Sequence, residues 1–330
     1  MDLSTTYLGL DLPHPLMTGA SPLVDRLDLV RRLEDAGAAA ITMHSLFEEQ
    51  ILLERQARYD HFDAHAEGFA EALSFFPNPD DYNLGPEEYL EQIRRIKAMV
   101  EVPVIASLNG ATGAGWVDYA KLMQQAGADA LELNIYLLAT DPLETGASIE
   151  QRVVDIASTV KQAVTVPVAV KLSPFFSSVA NLAYRLDQAG VDGLVLFNRF
   201  YQPDIDVEAL DVAPRLQLSD PSELLMRVRW LAILSGRMRA SLAATGGVHT
   251  GLDAIKAVMA GAHGVQIVSA LLHHGPAQLK TIHDEMVRWM EDHEYESLRQ
   301  MQGSMSLLRC PDPAAFERGN YTRILQTWRV

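Results

Sequence analysis

The chain has 330 residues, 48% of them hydrophobic, with 43 acidic against 27 basic side chains and a net charge of −16. That apolar content supports a large core and excludes a disordered chain, while the acidic balance, with no Lys/Arg-rich run, argues against nucleic acid or an anionic membrane as partner. The single cysteine, Cys310, excludes a disulfide framework, a CxxC redox pair, Cys-ligated zinc and a self-contained iron–sulfur cluster, so any redox chemistry falls to a bound cofactor.

In chain order, residues 3–14 alternate like a small hairpin and are expected to plug one mouth of a larger structure. Apolar runs near 15–20, 40–45, 103–108, 130–135, 167–172, 193–198, 240–245 and 264–268 read as strands. Helical patterns separate them at 25–36, 86–99, 117–126, 148–163, 178–189, 222–236, 251–260 and 275–292. One phrase recurs four times, in Ala36-Gly37-Ala38, Ala126-Gly127-Ala128-Asp129, Ala189-Gly190-Val191-Asp192 and Ala260-Gly261-Ala262, where a glycine closes a helix and an apolar run follows. Val102-Pro103-Val104 and Val166-Pro167-Val168 open two strands at a proline, where the missing N–H costs little. Eight strand–helix units without a composition break predict an α/β fold: one (β/α)8 TIM barrel over 1–310 with an N-terminal hairpin, and a tail over 311–330 packed on or near it. Long connections at 46–85, 136–147 and 199–221 all fall on the carboxyl-end face. The N-terminus carries no basic and apolar leader pattern, and no run approaches the roughly 18 apolar residues of a membrane span, so the expectation is a soluble cytoplasmic protein.

Barrel sites form at the carboxyl ends of the strands. Those ends carry Gly19-Ala20, His44-Ser45, Ser107 and Asn109, Asn134, Lys171, Asn198, Thr245-Gly246-Gly247 and Ser269. Alternation turns Glu132 with Asn134, and Ala169 with Lys171, to one face. A ring of amides, hydroxyls and one ammonium around an apolar mouth suits a flat polar ligand. Gly246 and Gly247, the first N–H groups of the 251–260 helix and those after strand eight are expected to cradle a phosphate, against a plain tight turn as the alternative. Asn109-Gly110-Ala111-Thr112-Gly113-Ala114-Gly115 has glycines in the order GxxGxG and no Walker lysine, so a mobile loop is favoured over a nucleotide loop. His61 and His65 have metal-ligand spacing but lie among Asp60, Asp63 and Glu67, which reads as a solvated face, and no metal is expected.

Taken together, Tyr7-Leu8-Gly9-Leu10, Pro15-Leu16-Met17-Thr18-Gly19-Ala20-Ser21, Asn83-Leu84-Gly85, Glu132-Leu133-Asn134, Lys171-Leu172-Ser173-Pro174, Asn198, Thr245-Gly246-Gly247-Val248 and Ile267-Val268-Ser269-Ala270-Leu271 resemble the dihydroorotate dehydrogenase family through nearly all of 1–305. The resemblance implies an FMN-binding barrel that oxidises dihydroorotate to orotate in pyrimidine biosynthesis. It implies Gly19, Ala20, Ser45, Ser107, Asn134, Lys171, Asn198, Gly246, Gly247 and Ser269 around the flavin and its phosphate, with Asn134, Asn198 and Arg199 toward a small planar substrate. It also implies the soluble, often homodimeric branch of the family. On the substrate side the sequence departs from the family pattern. Leu137 stands where the family places a Cys or Ser base, His44-Ser45 replaces Lys-Ser, Asn198-Arg199 replaces Asn-Ser, and Pro77-Asn78-Pro79-Asp80-Asp81 replaces a polar loop. A proton carrier would then be His44, Tyr136 or Asp141, and Lys171 would stabilise the reduced flavin. Arg199 either forks a substrate carboxylate or points to solvent. Besides an oxidoreductase with its own substrate, the sequence fits a flavin-binding subunit that serves an electron-transfer partner, or a flavin-free barrel using Lys171 as a Schiff-base amine.

Overall fold

A computed structural model describes residues 1–53, 85–213 and 216–327. Eight parallel strands close into a barrel: β3 (Leu16–Thr18), β4 (Ile41–Phe47), β5 (Val104–Gly110), β6 (Ala130–Ile135), β7 (Val168–Leu172), β8 (Gly193–Leu196), β11 (Ser241–Thr245) and β12 (Gly264–Ile267), which returns to β3. Each expected strand is present, and each expected helix is found within a few residues of its sequence limits.

The recurring phrase explains itself in the structure. Gly127 and Gly190 take the left-handed conformation that ends a helix. The aspartate two residues on ties the next strand to its neighbour: Asp129 accepts from Val104 N–H at 2.7 Å and pairs with Lys97. Asp192 does the same for Val168 N–H and Lys161. Outward-facing Ile41, Met43, Leu131, Leu133, Val168 and Val170 join the helices in one large core.

The hairpin of β1 (Thr5–Tyr7) and β2 (Leu10–Leu12) fills the amino-end mouth. Its Tyr7, Leu8 and Leu12 pack against Met17, Ile105, Ala130, Ala169, Val195 and Ala243 inside the barrel. Alanines and Gly193 leave the necessary space, since a Cβ on Gly193 would stand 2.3 Å from Leu8 Cδ2. A second hairpin, β9 (Asp204–Asp206) with β10 (Asp211–Ala213), rises from the connection after β8 and was not legible in the sequence. In the tail Phe316 packs on the core, whereas the helix Gly319–Thr327 buries no side chain. Among the described residues no helix is long and apolar enough to cross a membrane.

Candidate active site

The floor of the carboxyl-end mouth is built by register. Asn134 on β6 stands beside Lys171 on β7, one inward position above Glu132. Lys171 Nζ lies 3.2 Å from Glu132 Oε1, with both side chains buried. Gln266 Nε2 donates to the other oxygen at 2.5 Å. Asn198 Nδ2 donates to Asn134 Oδ1 at 2.7 Å, and the Ser45 and Ser107 hydroxyls meet at 2.8 Å. Gly19 keeps backbone close to this floor, because a Cβ there would be 2.7 Å from Val268 Cγ2, and half-buried Ala20 follows it. Gln266 was missed as a partner, although it occupies the inward parity of the last strand. Beneath, burial and then the Glu132 carboxylate hold the Tyr7 phenol well above its ordinary value.

At the corner of β11 and β12, Gly247 N–H donates to Ser219 Oγ at 3.1 Å, and the Ser219 and Ser269 hydroxyls lie 2.8 Å apart. The expected members Gly247 and Ser269 are thus brought together, around a serine that sequence reading did not single out. Gly246 and Gly247 both have positive φ, and a Cβ on Gly247 would lie 2.5 Å from Leu224 N. Behind Gly246 the buried Arg227 donates to Thr245 O at 2.9 Å. The start of the 251–260 helix has partners of its own. Gly251 N–H is taken by Glu285, and the His249 and Thr250 N–H groups by Asp253. Local carboxylates take these three N–H groups.

Three catalytic candidates differ in their settings. His44 falls where the β4–β5 register shifts between Thr42 and Ser45, an irregularity that re-aims a side chain. Its Nδ1 lies 2.6 Å from Asp25 Oδ1, and its ring stands edge-on to Tyr89. Tyr136 stacks on Phe200 at 4.4 Å, and burial followed by neighbouring Tyr201 pushes its phenol up. Lys171 is the floor cation already described. Asp141 is exposed and accepts from Leu143 N–H.

Arg199 pairs with Glu223 through Nη1, and its Cζ lies 5.5 Å over the Tyr201 ring, while its Nε has no hydrogen-bond partner. A cavity of about 710 Å³ adjoins it, lined in part by Phe175, Asn198, Phe200, Leu216 and Met226. Leu137 is partly buried against the core.

The glycine loop after β5 has an internal partner. It wraps the buried Glu48 carboxylate, which accepts from Ala111 N–H at 2.8 Å, Thr112 N–H at 3.0 Å, Ala114 N–H at 2.6 Å and the Thr112 hydroxyl. The loop is therefore folded around a buried carboxylate of the chain itself. His61, His65 and residues 77–81 lie outside the described residues. Among the described residues no group of three or more His, Cys, Asp or Glu side chains could hold a metal.

The profile of the dihydroorotate dehydrogenase family matches residues 81–290. Over 308 residues the chain is 30% identical to the catalytic subunit of dihydroorotate dehydrogenase B (NAD(+)) of Thermoplasma acidophilum, covering 92% of this chain and 98% of the relative. The corresponding subunit of Methanocaldococcus jannaschii is 27% identical over 306 residues, with 88% and 94% covered. The NAD-dependent dihydropyrimidine dehydrogenase subunit PreA of Escherichia coli is 24% identical over 321 residues, with 92% and 76% covered. By barrel, strand-end residues and sequence alike, the chain belongs to the dihydroorotate dehydrogenase family.

Proposed function

We propose that the chain is an FMN-dependent oxidoreductase acting on a CH–CH bond of a small planar substrate, of the dihydropyrimidine kind named for its relatives. The observation that carries the reading is the joint geometry of floor and corner. An ammonium and two amides, Lys171, Asn134 and Asn198, stand beside a glycine and hydroxyl cradle at Gly246, Gly247, Ser219 and Ser269. This donor set fits a flavin ring with a phosphate tail, with Gly19, Ala20, Ser45 and Ser107 completing the surface under the ring. Bound FMN supplies hydride acceptance; the protein supplies orientation, charge and proton transfer.

Lys171 would face the electron-rich edge of the ring, and Asn134 and Asn198 would present amides to ring or substrate. Of the proton carriers His44 is favoured over Tyr136, because a carboxylate adjoins its imidazole while the Tyr136 phenol is pushed away from the neutral range. The Lys171–Glu132 ion pair argues against a Schiff-base amine, which needs a free neutral nitrogen. The visible spectrum of the purified chain, with mass identification of the released ligand, tests the assignment; a colourless protein that takes up no FMN would overturn it.

A second reading has its own support. Leu137 offers no proton-transfer group, and relatives are described as subunits, so as a second reading we propose the flavin-bearing part of a redox complex with an electron-transfer partner. Bleaching of the flavin by substrate in the isolated chain, as a homodimer or otherwise, separates the two.

A further inference from the structure

Glu132 is the most deeply buried acid on the barrel axis, and the proposed chemistry gives it no part. Its side chain is 1% exposed. Four groups face or influence it from four elements: Lys171 from β7, Gln266 from β12, Tyr7 from the N-terminal hairpin, and Tyr89 from the helix Pro86–Lys97. Only Lys171 carries a positive charge. Among the described residues Glu132 is also the one acceptor for Lys171 Nζ, and the Tyr7 hydroxyl and Gln266 Oε1 have no hydrogen-bond partner. The order along the axis follows from register: the carboxylate lies one inward position below the row shared by Asn134 and Lys171.

A lone buried ammonium is costly and sheds its proton unless an opposite charge accompanies it. We propose that Glu132 is a positioning residue for Lys171: its carboxylate, steadied by Gln266, is the counter-ion that lets a cation stand at the mouth floor, and thereby sets the electron affinity of a flavin above it. The flavin part of this inference rests on the proposed function; the counter-ion part does not. Gln266 serves as the second support because its amide N–H₂ fixes the oxygen that Lys171 leaves free. A purely apolar replacement of Glu132 would remove the charge and this hydrogen bond together, so the informative replacement is isosteric.

The test uses Glu132→Gln, Lys171→Met and the double variant, each loaded with FMN, and reads the midpoint potential by dye equilibration. Both single variants are expected to lower the potential, and the double variant to fall no further than Lys171→Met, because both changes remove the same cation. Glu132→Asp, which keeps the charge, should restore much of the loss. An unchanged potential in Glu132→Gln, or falls that add in the double variant, would overturn the proposal. Should Glu132→Gln not fold, Gln266→Met loosens the carboxylate instead, and an unchanged potential there counts equally against it.

Urea unfolding of the flavin-free proteins supplies an independent arm. Each single variant should lower the midpoint, and the double variant should recover most of that loss, as expected when a buried pair is removed whole. Absence of this coupling overturns the counter-ion role whatever the flavin result. If coupling is present but no variant, nor the unaltered chain, takes up FMN, the proposed function fails while Glu132 remains the counter-ion of Lys171.

Discussion

Asn198 Nδ2 donates to Asn134 Oδ1 across 2.7 Å, joining the ends of two strands that are not neighbours, since β7 lies between β6 and β8. The bond joins the strand ends on either side of the one that carries Lys171 and holds both amides in one orientation before any ligand arrives. Replacing Asn134 by Leu removes one amide and leaves the other unpaired. FMN affinity should weaken about tenfold, or about 1.4 kcal/mol. Flavin fluorescence titration reads this directly, and an unaltered dissociation constant would remove Asn134 from the site.

Gly247→Asp should abolish FMN binding. The residue has φ of +80° and no space for a Cβ beside Leu224 N, and the new carboxylate would crowd the corner where Ser219 and Ser269 meet. A circular-dichroism melt separates lost binding from lost folding. A folded variant with full flavin content would place the phosphate elsewhere.

Dihydroorotate should reduce the flavin slowly or not at all. Leu137 has no group to take the proton that must leave with the hydride, and a positioned base is worth about 10²–10⁴ in rate. Anaerobic stopped-flow mixing decides the matter, with fast and complete bleaching as the contrary result. For a substrate that does react, His44→Gln should slow bleaching by about 10²-fold or more, whereas Tyr136→Phe should change it little.

Acid should weaken the fold through His14. Burial, and then the charge of neighbouring His283, lower its pKa from 6.5 to about 4, against a weaker opposing backbone contact from Gly37. Between those values the unfolded chain binds the extra proton, so stability is fully present above pH 6.5 and is lost as pH falls toward 4. The upper limit is about 3 kcal/mol, at ~1.36 kcal/mol per pH unit. His14→Gln, which keeps an acceptor for Leu16 N–H, should flatten much of this slope in urea titrations from pH 7 to 4. Half-buried His263, lowered by the same cause, leaves a residue of it.

The barrel was legible because each strand–helix unit repeats a local signal. Gly127 with Asp129, and Gly190 with Asp192, fix a helix end and the next strand within three residues. The β9–β10 hairpin escaped notice because Ile205 and Val212 alternate with acids but neither face is buried, so periodicity had no core to report. Strand-end parity found Asn134, Lys171 and Asn198. Their partners were less accessible: Gln266 meets Glu132 across 134 positions, and Ser219 meets Ser269 across 50. The start of the 251–260 helix looked free for the same reason, since Glu285, 34 positions away, takes its first N–H.

Glu48 gives the mouth a direction. Two loops there present converging backbone N–H groups, one after β5 and one after β11, and either would attract a dianion. The loop after β5 already holds an anion of the chain's own making, bonded at three N–H groups. Of these two loops, the corner at Gly247, whose N–H donates to a serine hydroxyl rather than to a carboxylate, is the one proposed to receive a phosphate from outside. On the proposed function, a long ligand with one charged end lies across the barrel with its tail toward β11 and β12 and its head over Lys171.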